Sequence, residues 1–449
     1  MSTGLQWRGQ WVSCRVGPSG GPVTGLVGYQ ASTLLIVTVT PRLRDQQRAA
    51  SEAAILDAAW ARFAKTGPDG TSLRDVASDA GCTHALVARY FGSKDGLVEV
   101  VGDRLAERVN TTVGDVESSA SDPLLGLLSA ARQHRSSVQL LVRCALGDMQ
   151  PTGFPACLRA EWVLAATQES GASSGARADR RARLCAYAAS SLLLGWLTFE
   201  EFLVAATRLG RVGPRRSDAA VADAAGQLMA LAAGPEPKFV ARDRSGPGVP
   251  GGPLESVPAT ARDALLQSAI ELFAELGPAS VSVRDVARHA GVNQGLIYRH
   301  FGSKEALLAE AIEQGSSDLF PAARAAAGFD FDAMSQLMHH GSTAPRLIAR
   351  TLVDDIDIST VRGEFPVLRR LLDGFGHVPT GSRPGDLSDP RIAVATAAGM
   401  ALGSVIWGGH LRRAFGLTRD DGIEAAIADL ARVVVGWPAQ TAVSRGAGP

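Results

Sequence analysis

Apolar positions recur at helical spacing over most of the chain. The pattern is clearest at Ala264, Leu265, Ile270, Leu272, Phe273 and Leu276, which predict an amphipathic helix. Gly277-Pro278 stops that helix, since proline cannot continue it. Ser282 then stands as an N-cap before Val283 to Ala290, and Gly291 supplies a tight turn, since without a Cβ it takes a positive φ cheaply. Asn293 is expected to cap a second short helix, Gln294 to His300. Val286, Ala287 and Ala290 are expected to face Leu296 and Ile297, with the small alanines allowing close approach. A short helix, a glycine turn and another short helix form a helix-turn-helix.

The same pattern occurs earlier in the chain, in constant register. Phe63-Ala64-Lys65-Thr66-Gly67-Pro68 is echoed by Phe273-Ala274-Glu275-Leu276-Gly277-Pro278, and Phe91-Gly92-Ser93-Lys94 by Phe301-Gly302-Ser303-Lys304, always 210 residues apart. Roughly half the positions from Phe63 to Leu97 match their partners, so the unit is duplicated. Fainter echoes follow: Leu140-Leu141-Val142-Arg143 with Leu347-Ile348-Ala349-Arg350, Phe154-Pro155 with Phe365-Pro366, and Leu194-Gly195 with Leu402-Gly403. The predicted organisation is an N-terminal extension over 1–40, poorly ordered or an over-early start, then a first head over 41–108 and a first helical body over 109–233. A Pro/Gly linker over 234–258, a second head over 259–314 and a second body over 315–440 follow.

Composition narrows the chemistry. The formal charge is +0, so any nucleic-acid binding must come from a few placed groups rather than a global field. The five cysteines are scattered and form no C-x-x-C, which argues against a disulfide framework or a structural zinc site and fits a cytoplasmic protein. No apolar run reaches the ~20 residues of a membrane span. Lysine stands only at positions 65, 94, 238 and 304, and two of these recur in the duplicated unit. Gly171 to Gly175 matches G-x-S-x-G but sits in a loop setting rather than on a strand-to-helix elbow. Gly246 to Gly251 matches G-x-G-x-x-G, but its prolines exclude a dinucleotide turn. His339-His340 and Asp354-Asp355-Ile356-Asp357 are read as solvated surface rather than a metal site, and Asn110-Thr111-Thr112 as a sequon without consequence. No cofactor and no catalytic set are indicated.

The run from Phe273 to Leu308, with Gly-Pro, Ser-Val-Arg-Asp-Val-Ala, Ala-Gly-Val and Tyr-Arg-His-Phe-Gly-Ser-Lys-Glu, resembles the DNA-binding head of the TetR family. The resemblance implies an all-α fold of two tandem units, each a three-helix head followed by a body for ligand binding and dimerisation. It places Ser282, Tyr298, His300 and Lys304 on DNA phosphates, and Asn293, Gln294 and Gly295 at base edges. Arg284 is expected on the DNA backbone or in an outward salt bridge. The first copy offers Ser72, Arg74, Thr83, His84, Ala85, Tyr90 and Lys94 at matching positions, with Ala88 where the second has Tyr298. Arg42, Arg44 and Arg48 are read as a basic arm.

The body aromatics Trp162, Trp196, Phe199, Phe202, Phe375 and Trp407, with His410, are read as core or a pairing face before an effector pocket. The implied function is a repressor released by an unidentified small-molecule effector, its two unlike heads reading an asymmetric pair of half-sites on double-stranded DNA. The bodies would form an intramolecular pseudo-dimer or a homodimer, with no membrane partner. The rival reading is a sensor or scaffold that has kept the fold without binding DNA.

Overall fold

The computed structural model describes residues 2–7, 10–15, 24–28, 34–38, 43–68, 70–119, 122–147, 176–211, 213–233, 260–318, 343–357, 368, 372–373, 385–418 and 422–436. Contacts divide the chain into two compact units: Met1–Trp60 with Ser72–Leu97, and Ala61–Thr71 with Val98–Pro449.

In the first unit, β1 (Ser2–Trp7) pairs antiparallel with β2 (Gln10–Arg15), and β3 (Thr24–Gly28) with β4 (Leu34–Thr38). The segment expected to be poorly ordered therefore carries two hairpin ladders. Its Val- and Ile-bearing runs, such as Leu34-Leu35-Ile36-Val37, favour extended backbone, which a search for helical spacing passes over. From Leu43 onward the described elements are helical. The first unit holds the start of α1 (Leu43–Thr66), α2 (Leu73–Asp79), α3 (His84–Phe91) and the first residues of α4 (Lys94–Ser119). Ile55, Leu56, Ala59, Val76, Ala77, Val87 and Leu97 are its buried apolar positions among the described residues.

The second unit continues with α5 (Pro123–Gln133), α6 (Arg135–Leu146), α7 (Ala176–Thr207) and α8 (Pro214–Ala233). It then holds α9 (Ala261–Leu276), α10 (Val283–His289), α11 (Gly295–His300) and α12 (Lys304–Asp318). The series ends with α13 (Thr343–Val353), α14 (Pro390–Phe415) and α15 (Ile423–Val434). The expected head–body boundaries at 108 and 314 fall inside α4 and α12, so each head runs into its body through one unbroken helix. The expected linker, Trp162, Phe375, His339, His340 and the two glycine motifs lie outside the described residues.

The centre of the second unit is the crossing of α7 and α14, which bury most of their length against one another and their neighbours. They meet through glycine. A Cβ at Gly195 would lie 1.9 Å from the Gly399 carbonyl oxygen, and one at Gly403 would lie 1.9 Å from that of Ser191. Each such Cβ would also stand 2.9 Å from the Cα of the other glycine. The contact is reciprocal: each glycine lies on a carbonyl four residues before its counterpart. Both helices are long and apolar enough to pass for membrane spans, contrary to the sequence expectation. Gly, Ser and Thr are interspersed along both, so neither forms an unbroken apolar run. Their apolar surface is mostly buried in the protein.

The two buried indoles of this core have polar partners, while the Ser191 and Thr396 hydroxyls are buried without one among the described residues. Trp196 donates its indole N–H to Asp218 Oδ1 at 2.9 Å, and Arg132 donates to both Asp218 oxygens at 3.0 and 2.6 Å. Trp407 donates to Thr198 Oγ1 at 3.1 Å, from the second body to the first. Trp196, Phe199 and Trp407 are almost fully buried, and Phe202 nearly so. Burial, together with the nearby Arg413 guanidinium, pushes the His410 imidazole down to about 4. Asp354, expected on solvated surface, is 3% exposed and ion-paired to Arg143. The acidic run misled because only its first member turns inward, at the end of α13.

Candidate nucleic-acid interface

In the second unit, α9, α10 and α11 build the head. Leu265, Leu266, Ala269, Ile270 and Phe273 bury one face of α9, but Leu276, expected on that face, is 51% exposed because the helix ends there. Val286, Ala287 and Ile297 are buried between the helices, with Ala290 and Leu296 half-buried beside them. Ser282 and Asp285 form a reciprocal capping box. Ser282 Oγ accepts the Asp285 N–H at 3.2 Å, and Asp285 Oδ2 accepts the Ser282 N–H at 3.0 Å. Ser282 Oγ also donates to Asp285 Oδ2 at 2.5 Å, so this hydroxyl is engaged in the cap. These bonds from Ser282 hold the Asp285 carboxyl below its ordinary range.

The recognition helix starts at Gly295, one residue later than its sequence suggests, because Gln294 is still in the turn. Asn293 does the capping: its Oδ1 accepts the Gly295 N–H at 2.8 Å. A Cβ at Gly295 would stand 3.2 Å from that oxygen, which explains why glycine suits the position. Asn293 thus spends its carbonyl oxygen on the cap and keeps its amide N–H groups for a partner. Gly295, Arg299 and His300 are exposed along this helix, with Gln294 exposed in the turn before it, and Tyr298 is 54% exposed. Arg284 is exposed and makes no ion pair among the described residues. Lys304 is half-buried and donates its ammonium to the Pro278 carbonyl. Burial holds that ammonium below its ordinary range, against Glu305, Asp354 and Asp285, which raise it. Its expected phosphate contact would have to be made from this anchored position.

In the first unit the scaffold repeats and the surface changes. Ser72 and Asp75 form the same capping box. Thr83 makes no side-chain cap bond to α3, and Ala85 stands in the place of Gly295. Thr83, His84 and Ala85 are exposed, as is Arg74. Tyr90 is half-buried, with the Arg48 guanidinium 5.8 Å from its ring centroid and Phe91 edge-on at 6.4 Å. Arg48 is therefore a helical residue stacked on an aromatic ring and not part of a loose basic arm. Arg44 is also within α1, and Arg42 lies outside the described residues. Lys94 is half-buried at the start of α4.

The family of bacterial regulatory proteins called tetR matches residues 55–101 and 265–311. Both ends of the two spans are 210 residues apart, the register of the internal repeat. Each span runs from within a head's first helix into the helix that enters the body. The HTH-type transcriptional repressor Rv3405c of Mycobacterium tuberculosis is 35% identical to this chain over 163 residues, which is 36% of this chain and 80% of that protein. The chain belongs to the TetR family.

A second relative, the HTH-type transcriptional repressor KstR2 of Mycolicibacterium smegmatis, is 43% identical over 65 residues, 14% of this chain and 32% of its own. A tetR family transcription regulator from Shewanella sp. PV-4 aligns with 38% of this chain and 97% of its own at 19% identity and a TM-score of 0.28, a likeness that carries no argument. Membership makes this chain a DNA-binding transcriptional regulator, built from two TetR heads in one polypeptide. The sequence had placed Tyr298 and His300 on the recognition helix, and Gln294 stands just before it. What it missed were the partners: the Pro278 carbonyl under Lys304, and Arg48 over Tyr90. Neither leaves a spacing signature.

Proposed function

We propose that this chain is a cytoplasmic repressor whose two unlike heads read an asymmetric pair of half-sites, and which a small molecule releases from DNA. The observation that carries the reading is the difference between the two recognition helices. In α11, a capped Gly295 sits beside exposed Gln294, Tyr298 and His300. In α3, the corresponding positions carry Ala85, His84, Ala88 and a Tyr90 held under Arg48. Gln294 can pair bidentately with adenine, and Gly295 leaves room for a thymine methyl. His84 and Ala85 offer a different pattern, so one half-site cannot repeat the other.

The reciprocal α7–α14 crossing supports the proposal that the two bodies serve as an intramolecular pseudo-dimer. Effector binding would then act by shifting the population of DNA-competent arrangements. Binding-site selection on the purified chain tests the reading, with analytical ultracentrifugation alongside. An asymmetric site bound by a monomer is expected. A perfect palindrome bound only by a two-chain assembly would refute it.

The sensor-or-scaffold reading draws on one observation, the loss of a free tyrosine in the first head. Promoter binding that disappears in folded Tyr298→Ala and Lys304→Ala proteins would exclude it for the second head.

A further inference from the structure

Within the second unit, a line of polar contacts runs from the last turn of α1 to the start of α12. At its centre Arg143 on α6 meets Asp354 at 3.0 Å, with the two side chains 4% and 3% exposed. The same guanidinium donates to the Ala64 carbonyl at 2.8 Å, the Lys65 carbonyl at 2.5 Å and the Val353 carbonyl at 2.9 Å. Ala64 and Lys65 lie in the last turn of α1, whose carbonyls have no partner within the helix. Asp354 Oδ2 accepts the Ala279 N–H at 2.8 Å, in the turn between α9 and α10. The residue before it, Pro278, receives the Lys304 ammonium. Gly277 makes room at φ +87°, since a Cβ there would stand 2.9 Å from Asp354 Oδ2.

The carboxylate at its centre has no counterpart in the first copy, although the fold is duplicated. Arg350 is the counterpart of Arg143, and its Cδ lies 3.7 Å from a Cβ built at Gly277, as that of Arg143 lies 3.9 Å from one built at Gly67. Arg350 likewise reaches the other copy, donating to the Leu146 carbonyl at 3.3 Å as Arg143 donates to the matching Val353 carbonyl, but Gly147 stands at the position matching Asp354. A contact needed only to hold each head on its own body would be present in both copies. The arginine-to-carbonyl contacts run both ways between the copies, and the Arg143–Asp354 ion pair is added in one direction.

We propose that Arg143 and Asp354 are positioning residues that lock the end of α1 to the α9–α10 turn, and thereby fix the half-site spacing that the protein accepts. The proposal rests on the DNA-binding reading above. Removing one member of a buried ion pair disturbs it strongly, whereas Asp354→Asn keeps an acceptor for Ala279 and deletes only the charge that holds Arg143.

The test uses the full chain and the site it selects. Affinity is measured for that site, for the site with two base pairs inserted between its halves, and for the second half-site alone. Wild-type protein should lose about tenfold or more on insertion, equivalent to about 1.4 kcal/mol. Asp354→Asn should cut that penalty to about threefold or less, and leave the isolated half-site within about twofold, as expected for loss of coupling rather than of contact. Should Asp354→Asn not fold, Arg143→Met/Asp354→Asn removes the buried charges together and is expected to behave alike. A folded variant that keeps the full insertion penalty overturns the proposal, as does wild-type protein indifferent to the insertion. In both cases DNA binding itself still stands. A chain that selects no DNA defeats the DNA-binding reading, and the proposal with it.

Discussion

Gly403→Ala is a sharp perturbation of the body core. The added methyl would sit 1.9 Å from the Ser191 carbonyl oxygen and 2.9 Å from the Gly195 Cα, both backbone atoms that no rotamer change can move aside. Relieving the first contact alone requires α7 and α14 to part by more than an ångström. A radial gap of ~0.5–1 Å already forfeits a quarter to a half of the dispersion energy of each facing pair. Overpacking in a well-filled core costs about 1–3 kcal/mol, and the backbone position of this clash puts it at or above the upper end. Against that, alanine gains about 1 kcal/mol over glycine in helix propensity, so the net loss should be about 2–3 kcal/mol. Gly409→Ala is the matched control on the same helix, because a Cβ there meets nothing within 4 Å. It should stabilise by about 0.5–1 kcal/mol through propensity alone. Urea denaturation followed by Trp fluorescence reads both, with Trp196 and Trp407 beside the crossing. Gly195→Ala should copy Gly403→Ala, because the contact is reciprocal. If Gly403→Ala matched Gly409→Ala in midpoint, the close crossing would be wrong.

Three further sets of outcomes are expected. Tyr298→Ala should weaken DNA binding about tenfold with an almost unchanged salt slope, because a neutral hydroxyl displaces no counterion, whereas Arg284→Ala should lower the slope by about one. A titration of affinity against salt separates the two, and equal slopes for both variants would contradict the assignment. Asn293→Ala should cost about 1 kcal/mol by removing the cap, while Thr83→Ala, which removes no cap bond, should fall within about 0.5 kcal/mol of wild type in melting experiments. His410 is held neutral in the folded protein, at about 4, below its unfolded value near 6.5. The unfolded state therefore binds a proton first as pH falls, and stability should drop by about 2–3 kcal/mol between pH 6.5 and 4, then level off. His410→Gln should lack that component, and parallel pH curves for the two proteins would count against it.

The sequence revealed the fold from its repeats and helical spacing. Gly277-Pro278, Ser282 with Asp285, and Gly291 each mark a local event that a short stretch of chain determines by itself. The hidden features depend on residues far apart in sequence. Asp354 looked like solvated surface within an acidic run, and only its packing against Arg143, 211 positions earlier, gives it a buried role. The same holds for Tyr90, whose ring lies under the Arg48 guanidinium, and for Lys304, whose ammonium is held by a carbonyl 26 residues away. The Leu-Gly echo at Gly195 and Gly403 was visible, but that two glycines would meet backbone to backbone was not, because spacing gives no distance between helices.

That meeting joins two stretches of one polypeptide. In an assembly of separate subunits a contact of this kind weakens on dilution, while covalent connection holds the partners at a high effective concentration however scarce the protein is. On the proposed pseudo-dimer reading, a few molecules per cell would hold their paired form as firmly as thousands. Inheritance differs as well. In a symmetric pair every altered codon appears twice at the junction, so a change must suit both sides at once. Here each side mutates alone, and Gly403 can be changed while Gly195 is kept.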